Sequence, residues 1–245
     1  MDDIEWLSAG VLAWVGLTFV LAGFVKGVSG MGLPTLAMAL LSLKLPAASA
    51  AALMLLPALL TNTAQCLGAH GGLLLRRLWP LWVGLVLGTL FAPVPGLGSG
   101  VARVALGAVL LAYGLFGLAR PQLPAPGRHA LWLGAVAGLM GGALSAATGV
   151  FVLPLVPYLQ SLQLRRPQLI QALGLSFTLA SLSLAARLGG LEAAAPPDAI
   201  ASGLALAAAL AGMALGTRLR ERLPGLVFQR ALFAVFALLG LLMLH

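Results

Sequence analysis

Long apolar runs alternate with short polar interruptions along the whole chain. The runs cover residues 7–26, 31–43, 46–69, 78–93 and 101–119, then 129–147, 149–162, 167–190, 197–217 and 226–244. Several exceed the roughly 18 apolar residues that mark a membrane-crossing helix. The pattern predicts an all-α, polytopic integral membrane protein. Between the fifth and sixth runs lies a polar, proline-rich stretch, Arg120-Pro121-Gln122-Leu123-Pro124-Ala125-Pro126-Gly127-Arg128. It divides the chain into an N-terminal transmembrane repeat (1–119), a cytoplasmic linker (120–128) and a C-terminal transmembrane repeat (129–245). Each half shows the same order of elements, as expected of an internal duplication.

Each half also opens with an interrupted run. In the first, Gly23-Phe24-Val25-Lys26-Gly27-Val28-Ser29-Gly30-Met31-Gly32-Leu33-Pro34 replaces helix-forming residues with glycines, a serine and a proline. In the second, Gly138-Leu139-Met140-Gly141-Gly142-Ala143-Leu144-Ser145-Ala146-Ala147-Thr148-Gly149 leads to Val152-Leu153-Pro154. Gly and Pro free backbone polar groups that lipid cannot satisfy, so such segments face protein or a water-filled cavity. Paired interruptions in two halves point to a transporter's binding site. A further echo links the run Ala52 to Thr61 with the run Ala172 to Ser181.

Composition agrees with a membrane protein, at 61% hydrophobic and 8% charged residues. The net charge of +8 is assigned to topology rather than to nucleic acid, because the basic residues lie between the apolar runs. If each interrupted run crossed the membrane once, the basic residues would divide between the two faces. If each doubles back as a hairpin or re-entrant loop, Arg76, Arg77, Arg120, Arg128, Arg165, Arg166, Arg218, Arg220, Arg222 and Arg230 share one face. Only Lys44, Arg103 and Arg187 then lie opposite. That bias marks the richer face as cytoplasmic. Each half then consists of a broken, hairpin-like helix followed by three transmembrane helices. The halves are inserted in opposite senses as inverted repeats, with both termini outside the cytoplasm. The short second arms predict hairpin tips that stop part-way across and could meet near the midplane, where inverted-repeat transporters bind substrate. The acidic start Met1-Asp2-Asp3-Ile4-Glu5 lacks the basic region of a cleavable signal, so the first run is expected to remain.

The candidate substrate-binding residues follow from these breaks. Lys26 is the charged residue inside an apolar run. Such a group is a functional candidate, or else a helix-end lysine that snorkels to the interface. Ser29, Gly30 and Gly32 form a polar turn before an arm that Pro34 helps to start; exposed N–H groups and the helix dipole there suit an anion. Ser145, Thr148 and Gly149 offer the same chemistry in the second half. Small residues at helix contacts are the competing explanation. Asn62 and Gln65 could line the same cavity or bond across helices. Gln171 and Ser176 occupy the corresponding run of the second half, where a hydroxyl can also bond back to its own helix.

Other chemistries find no material. The single cysteine, Cys66, excludes an internal disulfide and reads as a small buried hydrophobe. His70, His129 and His245 are scattered near loops or termini, so no metal or cofactor site is expected. Glu192 and Glu221 fall outside the runs and Asp198 at the very edge of one, leaving no carboxylate deep in a run for a proton relay. No GxxxxGK[ST] phosphate loop is present. An enzyme is therefore not expected.

The glycine-rich first break with its proline, the matching break from Gly138 to Pro154, and the run Gln171-Ala172-Leu173-Gly174-Leu175-Ser176 resemble the TauE/SafE sulfite exporter family. The resemblance covers essentially the whole chain. It implies a bacterial inner-membrane permease that exports small sulfur-containing anions such as sulfite or organosulfonates. The expected partners are that anion and the lipid bilayer, with room for a homo-oligomer and none for nucleic acid. Expected transport is by alternating access, with the site between the two broken helices. A passive anion channel and a membrane scaffold or assembly factor stay open beside it.

Overall fold

The structure, a computed structural model, describes residues 8–119, 123–189, 199–220, 222 and 225–244. The acidic start with Asp2, Asp3 and Glu5, the linker residue Arg120, and Glu192, Asp198, Glu221 and His245 lie outside the described residues. Among the described residues the first half forms α1 (Ala9–Ser29), α2 (Leu33–Leu41), α3 (Ala47–Cys66), α4 (Gly71–Phe91) and α5 (Ala102–Ala119). A 3-10 turn at Gly127–His129 leads into the second half: α6 (Ala130–Thr148), α7 (Leu155–Ser161), α8 (Arg166–Arg187), α9 (Ala199–Leu219) and α10 (Gly225–Leu244). Eight of these helices are long and apolar enough to cross a membrane; only α2 and α7 are not. The protein is an all-helical, polytopic membrane protein.

The helices differ from the expected runs at informative places. α4 begins at Gly71 and includes Arg76, Arg77 and Pro80, whereas the apolar run begins at residue 78. Arginine can lie on a helix in this position because its stem stays apolar while its head reaches a polar partner; Arg77 donates to the Leu162 carbonyl at 3.2 Å. The second arms are shorter than the apolar runs 31–43 and 149–162. α2 stops at Leu41 in a turn, and α7 starts only after Pro154, which stands at its N-cap.

Both short helices do double back. Trp14 of α1 donates its indole N–H to the Leu40 carbonyl at the far end of α2, at 3.1 Å. In the second half the Tyr158 hydroxyl of α7 donates to the Ala130 carbonyl at the start of α6, at 2.8 Å. An aromatic side chain thus clamps each short arm along its long one.

Glycine sets the closest helix contacts. A methyl group on Gly23 of α1 would fall 2.1 Å from the Ala209 carbonyl oxygen of α9, and one on Gly212 of α9 would fall 2.1 Å from that of Val20. The seam between α4 and α6 matches it: Gly84 meets the Ala135 oxygen at 2.3 Å and Gly138 meets the Leu81 oxygen at 2.0 Å on the same construction. With no water to drive apolar burial inside a bilayer, such backbone approach is how helices gain packing energy. In each seam the helix bearing a break packs against a helix of the other half. Contacts step the same way along both seams (Gly16 by Leu204 and Gly27 by Met213; Gly84 by Ala135 and Gly88 by Leu139), so each pair runs parallel. α5 and α10 run antiparallel, with Gly107 by Met243 and Gly117 by Phe233. The end of α3 also meets α8 in antiparallel fashion, with Gly68 by Gln171 and Gln65 by Gly174.

Arg187 closes the lower part of the bundle. From the end of α8 it donates to the carbonyls of Thr89 and Leu90 at 2.9 and 3.0 Å, which belong to the last turn of α4. A cation there complements the negative end of the helix dipole and satisfies carbonyls that the helix leaves open.

Candidate functional site

The first break is made by backbone geometry. α1 runs past Lys26 to Ser29, and Gly30 then adopts φ +80°, a left-handed conformation that glycine reaches without a Cβ penalty. Gly32 follows at φ +98° and stands at the N-cap of α2, with Pro34 in the first turn. Gly32 has no side chain to cap that turn, so the N–H groups of Leu33 and Thr35 lack intrahelical partners. The Thr35 hydroxyl beside them is buried and has no partner.

Lys26 lies one turn before the break and is 2% exposed. Its amino group donates to Thr61 Oγ1 at 3.0 Å and to Asn62 Oδ1, both on α3. The lysine therefore points into the bundle, and the snorkelling alternative is set aside by its burial. Thr61 can accept because its own proton goes to the Pro57 carbonyl at 2.7 Å. One turn further along α3, Gln65 Nε2 donates to the Gly30 carbonyl at 2.8 Å and ties α3 to the break itself. Asn62 Nδ2 and Gln65 Oε1 are buried without partners. Lysine has a third ammonium proton to give. The cluster thus presents unused donors on Lys26 and Asn62, and both oxygens that hold the lysine are neutral. Among the described residues no carboxylate balances its charge.

The second break repeats the geometry without the cation. α6 ends at Thr148 and Gly149 takes φ +73°. Ser145 lies three residues before Thr148, as Lys26 lies three before Ser29; it is buried, and its hydroxyl has no partner. α7 begins six residues after Gly149 and has seven residues, so its first turn does not open directly from the break as that of α2 does. A methyl on Gly149 would fall 2.8 Å from Met38 Cε of α2, which brings the first half's short arm against the second break. No hydrogen bond joins the two breaks among the described residues.

Ser29 and Thr148 do matching work. Ser29 Oγ donates toward the Val25 and Met31 carbonyls at 2.8 and 2.7 Å and accepts from the Met31 N–H at 3.3 Å. Thr148 Oγ1 bonds the Leu144 carbonyl at 2.7 Å and both the carbonyl and N–H of Val150, at 3.3 and 3.2 Å. In each half one hydroxyl bridges the helix end and the residue beyond the glycine.

Gln171 and Ser176 sit apart from Lys26 and brace helices. Gln171 Nε2 donates to the Cys66 and Gly68 carbonyls at 2.9 and 3.1 Å, and its Oε1 accepts from the His70 N–H at 3.1 Å. Ser176 accepts from the Trp82 indole at 2.9 Å. Beside Gln65 and Gln171 a cavity of about 460 Å³ opens between the α3–α4 loop and the start of α8. Cys66, in the last turn of α3, is half-buried rather than fully buried, its sulfur 3.4 Å from the Thr178 hydroxyl. Thr61 is the residue that sequence reasoning passed over; its place next to Asn62 and one turn before Gln65 was the available signal.

A bundle of span-length helices with two doubled-back arms, and a buried cation beside one break, is the architecture of a polytopic membrane transporter. Residues 15–243 match the family described as sulfite exporter TauE/SafE. The match takes in nearly the whole chain, and the protein belongs to that family of membrane transporters. No curated protein and no solved structure gives a significant match.

Proposed function

We propose that the protein exports small sulfur-containing oxyanions, of the sulfite or organosulfonate class, across a bacterial inner membrane by alternating access. The observation that carries this is Lys26: a buried ammonium held only by neutral oxygens. A charge inside a bilayer is expensive unless it is paired, so the site favours an arriving anion. Asn62 Nδ2 and the open first turn of α2, after Gly30 and Gly32 and around Pro34, supply neutral donors nearby. Gln65 fixes the break against α3. Ser29 and Thr148 hold the two breaks in shape, with Gly149 at the second. Ser145 is the neutral counterpart of Lys26, Gln171 braces the cytoplasmic mouth, and Ser176 ties α8 to Trp82 of α4.

The halves are inverted in this proposal, with both termini periplasmic. The parallel seams between α1 and α9 and between α4 and α6, and the antiparallel pairs α3–α8 and α5–α10, support it, since a two-fold axis in the membrane plane relates elements in this manner. Because each seam joins helices of both halves, the bodies that rock are the seamed pairs rather than the two sequence halves.

Proteoliposomes loaded with sulfite test the assignment. Wild type is expected to release sulfite faster than protein-free vesicles, and Lys26→Met to lose transport by about a hundredfold, the size of a lost buried charge interaction of ~3 kcal/mol. A folded Lys26→Met variant that transports at the wild-type rate would remove the site from Lys26. Release through wild type no faster than from empty vesicles, for sulfite and sulfonates alike, would remove the substrate class.

A further inference from the structure

The opposite end of α3 from the Lys26 cluster holds a second polar cavity. The turn between α2 and α3 faces the loop between α4 and α5 across about 450 Å³. Lys44 comes from the turn and Arg103 from the first turn of α5. Lys44 is held over the Trp14 ring, 4.5 Å from its centroid, which fixes the amino group without neutralising it. Among the described residues no carboxylate pairs with either cation. Ser42 and Ser99 also line the cavity, and both hydroxyls are buried without a hydrogen-bond partner; Ser42 is only 6% exposed. Two such hydroxyls at the wall of one cavity are spare donors, suited to a ligand that supplies acceptors.

The backbone adds to this. α3 starts at Ala47 behind Pro46, which has no side chain able to cap, and its first internal bond is Ala50 N–H to the Pro46 carbonyl. The N–H groups of Ala47 and Ala48, both at the cavity wall, have no intrahelical partner. Two cations, two idle hydroxyls and an uncapped helix start converge on one space, and each of them is a donor.

We propose that this cavity binds a tetrahedral oxyanion, either a free sulfate- or phosphate-like ion or the phosphate of a lipid headgroup. The site is distinct from the one at Lys26 and does not rest on it. Its ligand accepts from Arg103, Lys44, Ser42 and Ser99 while the helix dipole of α3 adds attraction.

Delipidated full-length protein in neutral detergent is titrated with sodium sulfate and sodium phosphate by calorimetry. In parallel, native mass spectrometry follows retention of phosphatidylglycerol against phosphatidylcholine. The variants are Lys44→Gln/Arg103→Gln, Ser42→Ala, and Lys26→Met as the control for the other site. A free-ion site is expected to lose at least tenfold in affinity in the double variant and to persist in Lys26→Met. A headgroup site is expected to retain phosphatidylglycerol in wild type and Lys26→Met and to release it in the double variant, with no free-ion binding. If the double variant fails to fold, Ser42→Ala decides, with a weaker affinity for whichever ligand wild type holds. Sulfate, phosphate and phosphatidylglycerol all behaving alike in wild type and in the folded cavity variants would overturn the proposal. So would binding that disappears in Lys26→Met but not in Ser42→Ala.

Discussion

At the first break the chain carries Lys26 three residues before Ser29; at the second it carries Ser145 three residues before Thr148. The short arms also differ, since α2 opens directly from Gly32 and α7 only six residues after Gly149, but the long helices end alike. A left-handed glycine ends each long helix, a hydroxyl bridges the turn, an aromatic clamp holds the returning arm, and a glycine seam seats each long helix on a partner from the other half. The architecture of a break is therefore separable from its charge. The two turns are similar, and the side chain one turn before each glycine sets them apart: Lys26 finds Thr61 and Asn62 on α3, while the Ser145 hydroxyl has no partner. The buried cation stands at one break only.

The largest test of that asymmetry is to remove it. Ser145→Lys places a second ammonium at a buried position that has no acceptors prepared for it, and should destabilise the protein by about 3 kcal/mol or more, because an unpaired buried charge lacks compensation. Thermal unfolding in detergent checks this, and a variant as stable as wild type would mean that the second break can host a cation too. A smaller change follows from giving Lys26 a resident counterion. Asn62→Asp should stabilise the fold by ~1–2 kcal/mol, because the bond that Asn62 already accepts from Lys26 becomes an ion pair. It should also abolish stabilisation by added sulfite, since the carboxylate already occupies the lysine. Sulfite that still stabilises the aspartate variant would place the anion elsewhere. Smallest and most even are the two bridging hydroxyls. Ser29→Ala and Thr148→Val should each cost about 1 kcal/mol of stability, a typical net value for a hydrogen bond. Similar losses in the two variants would confirm that the turns are built alike; loss of sulfite binding in Ser29→Ala without loss of stability would instead make Ser29 a ligand.

How much of this was readable before the fold was known depends on the range of each interaction. The long spans and both breaks stood out because an apolar run and a glycine-proline cluster are local features; the sites of Gly30, Gly32 and Gly149 follow from them directly. Lys26 stood out for the same reason, as a charge in an apolar run, but its orientation did not. Snorkelling and burial differ only in what lies opposite, and Thr61 and Asn62 arrive from another helix. Gln65 is similar: its side chain reaches back to a carbonyl in the first break. The apolar run 149–162 overstates the short arm of the second half, because Val150 to Pro154 is as apolar as a helix yet is not helical. Arg187 illustrates the limit most simply. A lone arginine near the end of an apolar run says nothing of the α4 carbonyls it will close, which belong to the other half of the chain.

The glycine seams also govern the order in which the protein can be made. α1 is synthesised long before α9, yet the surface that receives Gly23 and Gly27 belongs to α9, which begins at Ala199. At a synthesis rate of roughly 5–20 residues per second, the ribosome reaches α9 only tens of seconds or so after α1. Throughout that interval α1 carries Lys26 toward its α3 acceptors with one face unsealed. The N-terminal half is therefore an unfinished object until α9 threads in beside it.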